Sequence, residues 1–425
     1  MRTRYTLLMA ALLVSQLVQA KPANLSQEQL HVLLDSTTPA SADTSFLALD
    51  RAIQQSLIAA LQGDTSKLTR DRLKNVEQSD KLSDSKWLKA SGYNFAKKEN
   101  QQAGIALLSA FPLLPKTTIA ASLKTVEQAN LNASNGQRTQ ALIDAEGQDH
   151  LFFLADALGP KLGEAFLRAY NNGELGKAAA LIKATEVGTG AAKKYFDNPR
   201  PFLIPGNTIH FVPDTAVVKD NAPYKASESS YPSGHTNTAY TDALLLGEML
   251  PERFIPLLDR AARYGYSRMI LGVHYPIDLM GSRMVAQRNV AHYLNDAKYN
   301  ALFEQAKQQL RAALEKECGT SLAECAKPQG AGDPYTAPQM KAFYRYTMTY
   351  HLPQEKVTAT RVVVPEDAEV LLEGPLPHLS AAQRRQLMVK TALAGGYPLS
   401  GSTPEQSFWQ RLDLSAAASA AHHGS

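Results

Sequence analysis

YPSGHTNTAYTDALLLGEML, residues 231–250, reads as a chain entering a helix. Ser233 stands where a helix should begin, as a residue suited to the N-cap, and the helix runs on from Thr236 to Leu250. Pro256 to Leu271 and Ile277 to Leu294 follow at short intervals and form one connected group with it. Upstream, Phe46 to Gln62 places Phe46, Leu49, Ile53, Leu57 and Leu61 at helical spacing, and Leu151 to Tyr170 and Leu175 to Thr185 repeat the pattern. Strand-like alternation is scarce before residue 360. Val362 to Val364 and Ala368 to Leu372 read as a small strand pair. The expectation is an all-α protein with a small mixed C-terminal extension.

Composition narrows the class. The chain has 425 residues, 44% hydrophobic and 20% charged, which fits a folded protein and excludes a largely disordered one. Lys and Arg number 44 against 40 acids, a net charge of +4 with no clustered basic face, so no nucleic-acid partner is expected. Arg2 and Arg4, the apolar run from Leu7 to Val18 and the small-residue ending at Ala20 have the three parts of a secretory signal peptide. That run is shorter than the ~20 residues a spanning helix needs, and no transmembrane anchor is expected in the mature chain. Export, with the periplasm as the first choice, favours a local disulfide between Cys318 and Cys325.

The organisation read from these signals is a signal peptide over 1–20, an N-terminal helical extension over 21–84 and a helical core over 85–326. A Gly/Pro-rich linker over 327–338 and a C-terminal extension over 339–425 follow. Residues 202–231 read as a long loop. Ser415 to Ser425, rich in Ala and Ser, reads as a frayed end. Arg384, Arg385 and Lys390 read as the solvated face of an amphipathic helix.

Three clusters carry chemistry: Lys193 with Arg200-Pro201, then Pro232-Ser233-Gly234-His235, then Ser267-Arg268 with His274 and Asp278. Pro199 and Pro201 force an extended segment, so Lys193 ends a helix while Arg200 leaves it, and both can converge on one anion. The amides of Gly234 and His235 open a helix and are donors at its positive end. Gly234 lets an oxyanion approach the backbone, and Arg268 adds a planar fork suited to phosphate. Asp278, four residues after His274, can accept from one ring nitrogen and leave the other free to attack. His235, with no carboxylate near it in sequence, is the candidate general acid. Gly188-Thr189-Gly190 opens like a dinucleotide fingerprint, but Lys193 occupies its third glycine position and no strand precedes it. Tyr195, Phe202, Tyr231 and Tyr275 flank the clusters, more as packing than as pocket walls.

Together these residues resemble the three-part signature of the type 2 phosphatidic acid phosphatase superfamily, which includes the bacterial class A non-specific acid phosphatases and the vanadium haloperoxidases. The resemblance implies a helical bundle of that type, acting on small phosphorylated substrates without a cofactor or metal. It implies a phosphohistidine at His274, oriented by Asp278, with His235 as acid and base. Lys193, Arg200, Ser233, Gly234 and Arg268 would hold the phosphoryl oxygens. The alternatives are a vanadium-dependent haloperoxidase, for which vanadate would be cofactor rather than inhibitor, and a soluble lipid phosphate phosphatase. A protein that only binds anions is disfavoured, because two histidines with an orienting carboxylate exceed what binding needs.

Overall fold

A helix that is apolar or internally paired around its whole circumference has to lie inside a protein. Gly234–Met249, Phe254–Ile270 and Pro276–Asn295 are three such helices, buried along nearly their whole length. The computed structural model describes residues 19–38, 68–69, 81–147, 151–212, 217–219, 222–223, 229–358 and 360–420. In it Gly234–Met249 packs against both of the other helices, its most extensive contacts. Around this trio stand Asn135–Gly147 against Phe254–Ile270, and Ala297–Cys318 against Pro160–Asn171 and Gly176–Thr185.

The fold is all-α, as the helical periodicity implies. Leu151 to Tyr170 divides in two, a 3-10 stretch over Leu151–Leu158 and the helix Pro160–Asn171. Gly159 between them takes φ +80°, which an L side chain rarely adopts, and Pro160 supplies the preset φ of a first helical residue. The 202–231 loop contains a 3-10 turn at its start. It also supplies Val217–Lys219 and Ala222–Pro223, which form a minimal ribbon with Leu68–Thr69. Cys318 and Cys325 are joined, tying the end of Ala297–Cys318 to the short helix Leu322–Cys325. The Phe46 to Gln62 periodicity, residues 1–18 of the leader and residues 421–425 lie outside the described residues.

The C-terminal extension corrects three expectations. It is helical rather than mixed: Ala368–Leu372 is a 3-10 turn, and Val362 to Val364 pairs with no strand among the described residues. Its alternation is real, since Val362 and Val364 are buried while Val363 is 63% exposed. The neighbouring backbone acceptors go to arginines instead of a ladder. Arg385 donates to the carbonyls of Val364 (2.7 Å) and Pro365 (2.9 Å), and Arg411 to that of Thr360 (2.9 Å). Arg385 and Arg384 are therefore not a solvated face; Arg385 also pairs with Glu369 at 2.8 Å, and Arg384 bonds the Leu379 carbonyl at 2.8 Å. The Ala/Ser-rich end is not frayed over its described part. Leu414–Ala420 is a helix capped by Asp413, and its small side chains are buried against Ala381–Thr391 and Phe254–Ile270.

Glu248, in the last turn of Gly234–Met249, is buried where that helix meets the extension and accepts the Gly374 N–H at 2.7 Å. Burial pushes its carboxyl up to about 8, against the pull of the Gly374 amide, Lys307 and Arg384, and Glu373 adds to the rise. A carboxyl raised in the folded state stabilises it fully below the unfolded value near 4.5 and loses that contribution as pH rises through 8. Glu248→Gln should therefore gain in Tm relative to the parent as pH goes from 5 to 9. A Tm difference independent of pH would refute the assignment.

Candidate active site

The site forms where the three central helices and the segment around Arg200 meet. Lys193 lies in the last turn of helix Gly190–Phe196, and Arg200 follows in extended backbone ahead of Pro201. Ser233 caps Gly234–Met249, accepting the Thr236 N–H through its side chain at 3.1 Å. The Tyr231–Pro232 peptide that leads into this cap is cis. Arg268 lies in the last turn of Phe254–Ile270, and Pro276 starts the next helix, so His274 occupies the corner between them.

His274 is 1% exposed and held at both ring nitrogens. Nδ1 lies 3.0 Å from Asp278 Oδ2, and Nε2 lies 2.8 Å from Arg200 Nη1. A guanidinium can only donate, so Nε2 is the acceptor and carries the lone pair, while Nδ1–H donates to the carboxylate. Arg200 is fixed in turn by the Val273 carbonyl at 3.0 Å. Burial, then the positive charge of Arg200, Lys193, Arg268 and His235, lowers the His274 imidazole well below 6.5. Those four groups are the ones that the three sequence clusters nominate, and the fold brings them to one place.

Asp278 is itself built in. It accepts the Tyr275 N–H at 2.8 Å on Oδ2 and the Ser230 hydroxyl at 3.3 Å on Oδ1. Burial pushes its carboxyl up to about 7, opposed by the Tyr275 amide, Arg200, Lys193 and Ser230. Packing at Gly234 is close: a Cβ there would meet the Thr189 hydroxyl at 3.0 Å, tighter than an ordinary contact. Ser282 binds the Ser233 carbonyl at 2.7 Å and locks the cap to helix Pro276–Asn295. Ser267 points away from this cluster and donates to Asp144 at 2.7 Å. His235 bonds through Nε2 to the Ala145 carbonyl at 3.1 Å.

Ser230, Ser282, Asp144 and Ala145 are absent from the sequence-derived set. Ser230 stands one residue before Tyr231 and could have been suspected from that adjacency; nothing in the sequence links the others to the site. Of the flanking aromatics, Tyr231 stacks on Phe111 with centroids 3.9 Å apart, and Phe202 stacks on Phe211 at 4.4 Å. Tyr275 donates to the Pro199 carbonyl at 3.0 Å and so ties the Arg200 segment to the His274 corner. Tyr195 is exposed. Histidine NMR should find the His274 ring neutral and protonated on Nδ1 at pH 6. A His274 resonance that titrates at or above 6.5 would contradict the geometry.

Known proteins match part of the chain. The family model described as PAP2 superfamily matches residues 174–299, which include every clustered residue named above. An acid phosphatase of Zymomonas mobilis is 30% identical over 124 residues, 29% of this chain and 44% of that protein. A non-specific acid phosphatase of Providencia stuartii is 32% identical over 133 residues, 31% of this chain and 50% of that protein. One of Salmonella typhimurium is 36% identical over 97 residues, 23% and 36% of the two chains. The chain thus spans half the length or less of these curated relatives. Residues 174–299 match the PAP2 superfamily model, and the chain is similar over part of its length to non-specific acid phosphatases.

Proposed function

We propose that the protein is a phosphomonoesterase that works through a phosphohistidine at His274. The observation that carries this reading is the line Asp278–His274–Arg200. A neutral imidazole has its proton directed at a carboxylate 3.0 Å away, and its lone pair faces a cationic group 2.8 Å away. That is the arrangement of an activated nitrogen nucleophile beside a site for anionic oxygens. The similarity to acid phosphatases supports it.

In the first step Nε2 of His274 attacks phosphorus and the ester P–O bond breaks. The leaving oxygen takes a proton from the His235 imidazolium. In the second step water attacks the phosphorus, neutral His235 takes its proton, and the P–N bond returns its electrons to Nε2. Asp278 offsets the positive charge on the His274 ring while the P–N bond exists. Lys193, Arg200, Arg268 and the amides that open Gly234–Met249 take up charge on the three phosphoryl oxygens. The lowered His274 imidazole stays neutral, and so able to attack, on the acid side of 6.5.

The leader pattern and the Cys318–Cys325 disulfide support a location outside the cytoplasm, with the periplasm first. Among the described residues no single helix is long and apolar enough to cross a membrane; Lys97–Leu113 and Lys116–Leu131 reach that length only as a pair bent by 103°.

Hydrolysis of p-nitrophenyl phosphate from pH 4 to 8, with and without chelator, tests the reading. Chelator-resistant turnover is expected, with His274→Ala losing it by about 10³-fold or more and Asp278→Asn lowering kcat more than binding. Undiminished turnover in His274→Ala would remove the phosphohistidine. No turnover by folded protein, with halide oxidation on adding vanadate and peroxide, would replace the reading with a haloperoxidase.

A further inference from the structure

The phosphatase reading leaves a buried ionic cluster on helix Phe254–Ile270 without a role. Asp144, in helix Asn135–Gly147, is fully buried. Its Oδ1 accepts from Arg260 Nη2 at 2.5 Å and from Gln140 Nε2 at 2.9 Å, and its Oδ2 accepts from the Ser267 hydroxyl at 2.7 Å. Arg260 is shared with Asp156 at 2.8 Å and with the Phe153 carbonyl at 3.0 Å. Arg263 donates to Ser267 at 3.0 Å and is held from its far side by Thr37 and Thr38 at 3.0 and 3.1 Å. Asp144 is thus clamped from several directions by groups whose own positions are fixed.

The next residue is Ala145, whose carbonyl meets His235 Nε2 at 3.1 Å. That carbonyl belongs to the residue directly after the clamped Asp144 in helix Asn135–Gly147. A carbonyl can only accept, so the contact requires a proton on Nε2. Nδ1 is then the nitrogen that gains and loses a proton. A carbonyl acceptor favours the charged imidazolium that a general acid must be before it acts.

We infer that Asp144 is a positioning residue for His235: the Arg260–Asp144–Ser267 cluster fixes the Ala145 carbonyl, and that carbonyl fixes the tautomer and orientation of the general acid. The inference rests on the proposed phosphatase reading and deepens it. Ser267 and Arg268 are adjacent on one helix, so this helix registers the acid through Ser267 while Arg268 faces the phosphoryl site. Ser267 therefore belongs to the signature without touching substrate.

The test uses the dependence on the leaving group. Proton donation by His235 matters for a poor alkoxide leaving group and little for p-nitrophenolate, whereas attack by His274 matters for both. Ser267→Ala removes the hydroxyl that bonds both Asp144 and Arg263 and leaves the Arg260–Asp144 ion pair in place. Asp144→Asn removes a charge opposite Arg260 and risks the fold. Both are to be compared with the parent on p-nitrophenyl phosphate and on glycerol phosphate, with specifically ¹⁵N-labelled histidine read by NMR. The expected result is a loss of kcat about tenfold greater on glycerol phosphate than on the aryl ester, with loss of the Nε2–H signature of His235. Equal losses on both esters, with the His235 signature intact, would overturn the inference and leave the phosphatase reading standing. A parent that hydrolyses neither ester would end the phosphatase reading, and the NMR comparison would still decide whether the cluster holds the ring.

Discussion

A buried guanidinium has to find hydrogen-bond acceptors in the interior to offset its desolvation. Arg200, Arg253, Arg260, Arg263, Arg283 and Arg411 are all essentially fully buried. The rest of the structure is arranged to meet that demand. Arg260 takes Asp144 and Asp156, which draws in helix Asn135–Gly147 and the 3-10 stretch after it. Arg253 takes both oxygens of Asp333, at 2.9 and 2.8 Å, and anchors the segment after the disulfide. Arg283 takes the carbonyls of Gln410 and Leu412, at 2.7 and 3.1 Å, where helix Pro404–Arg411 ends. Arginine suits this work because its planar fork can serve two acceptors while its charge is always present.

The same helices supply the chemistry. Pro276–Asn295 carries Asp278 near its start and Arg283 one turn further along. Phe254–Ile270 carries Arg260 and Arg263 in its middle and Arg268 at its end. A shift in the buried network is a shift in the site, since a rigid helix transmits it. The close-packed corner at His274, the Ser282 bond to the Ser233 carbonyl and the Tyr275 bond to the Pro199 carbonyl leave the reacting groups little freedom. Such fixed geometry is what positioning and electrostatic stabilisation require.

How much of this was legible in the sequence follows from the range of each interaction. The His274–Asp278 pair spans one helical start and shows in the spacing. The Ser233 cap is local, and so is the disulfide. The burial of residues 414–420 is not local: alanine and serine carry the same letters in a frayed tail as in a helix packed through small side chains. Val362 to Val364 alternates like a strand, but periodicity reports which faces are buried and not what accepts the backbone bonds. Arg385 and Arg411 decided that from 20 residues and more away. Asp144 was invisible for the same reason, because Arg260 and Ser267, which clamp it, lie on a helix far along the chain.

The Arg283 clasp on the end of helix Pro404–Arg411 has a consequence for the order in which the molecule can form. A chain is made from its N-terminus, and domains complete when their last contributing segment is available. Here the carbonyls that bond Arg283, on the helix that also carries Asp278, belong to residues 410–412. Until those residues emerge, the helix bearing Asp278 holds a cation with its partners missing, and the interior stays open to water. Synthesis through Leu412 must therefore precede the pairing of Arg283, so a nascent chain that stops short of it carries the reacting groups on a helix whose buried cation is still open to water.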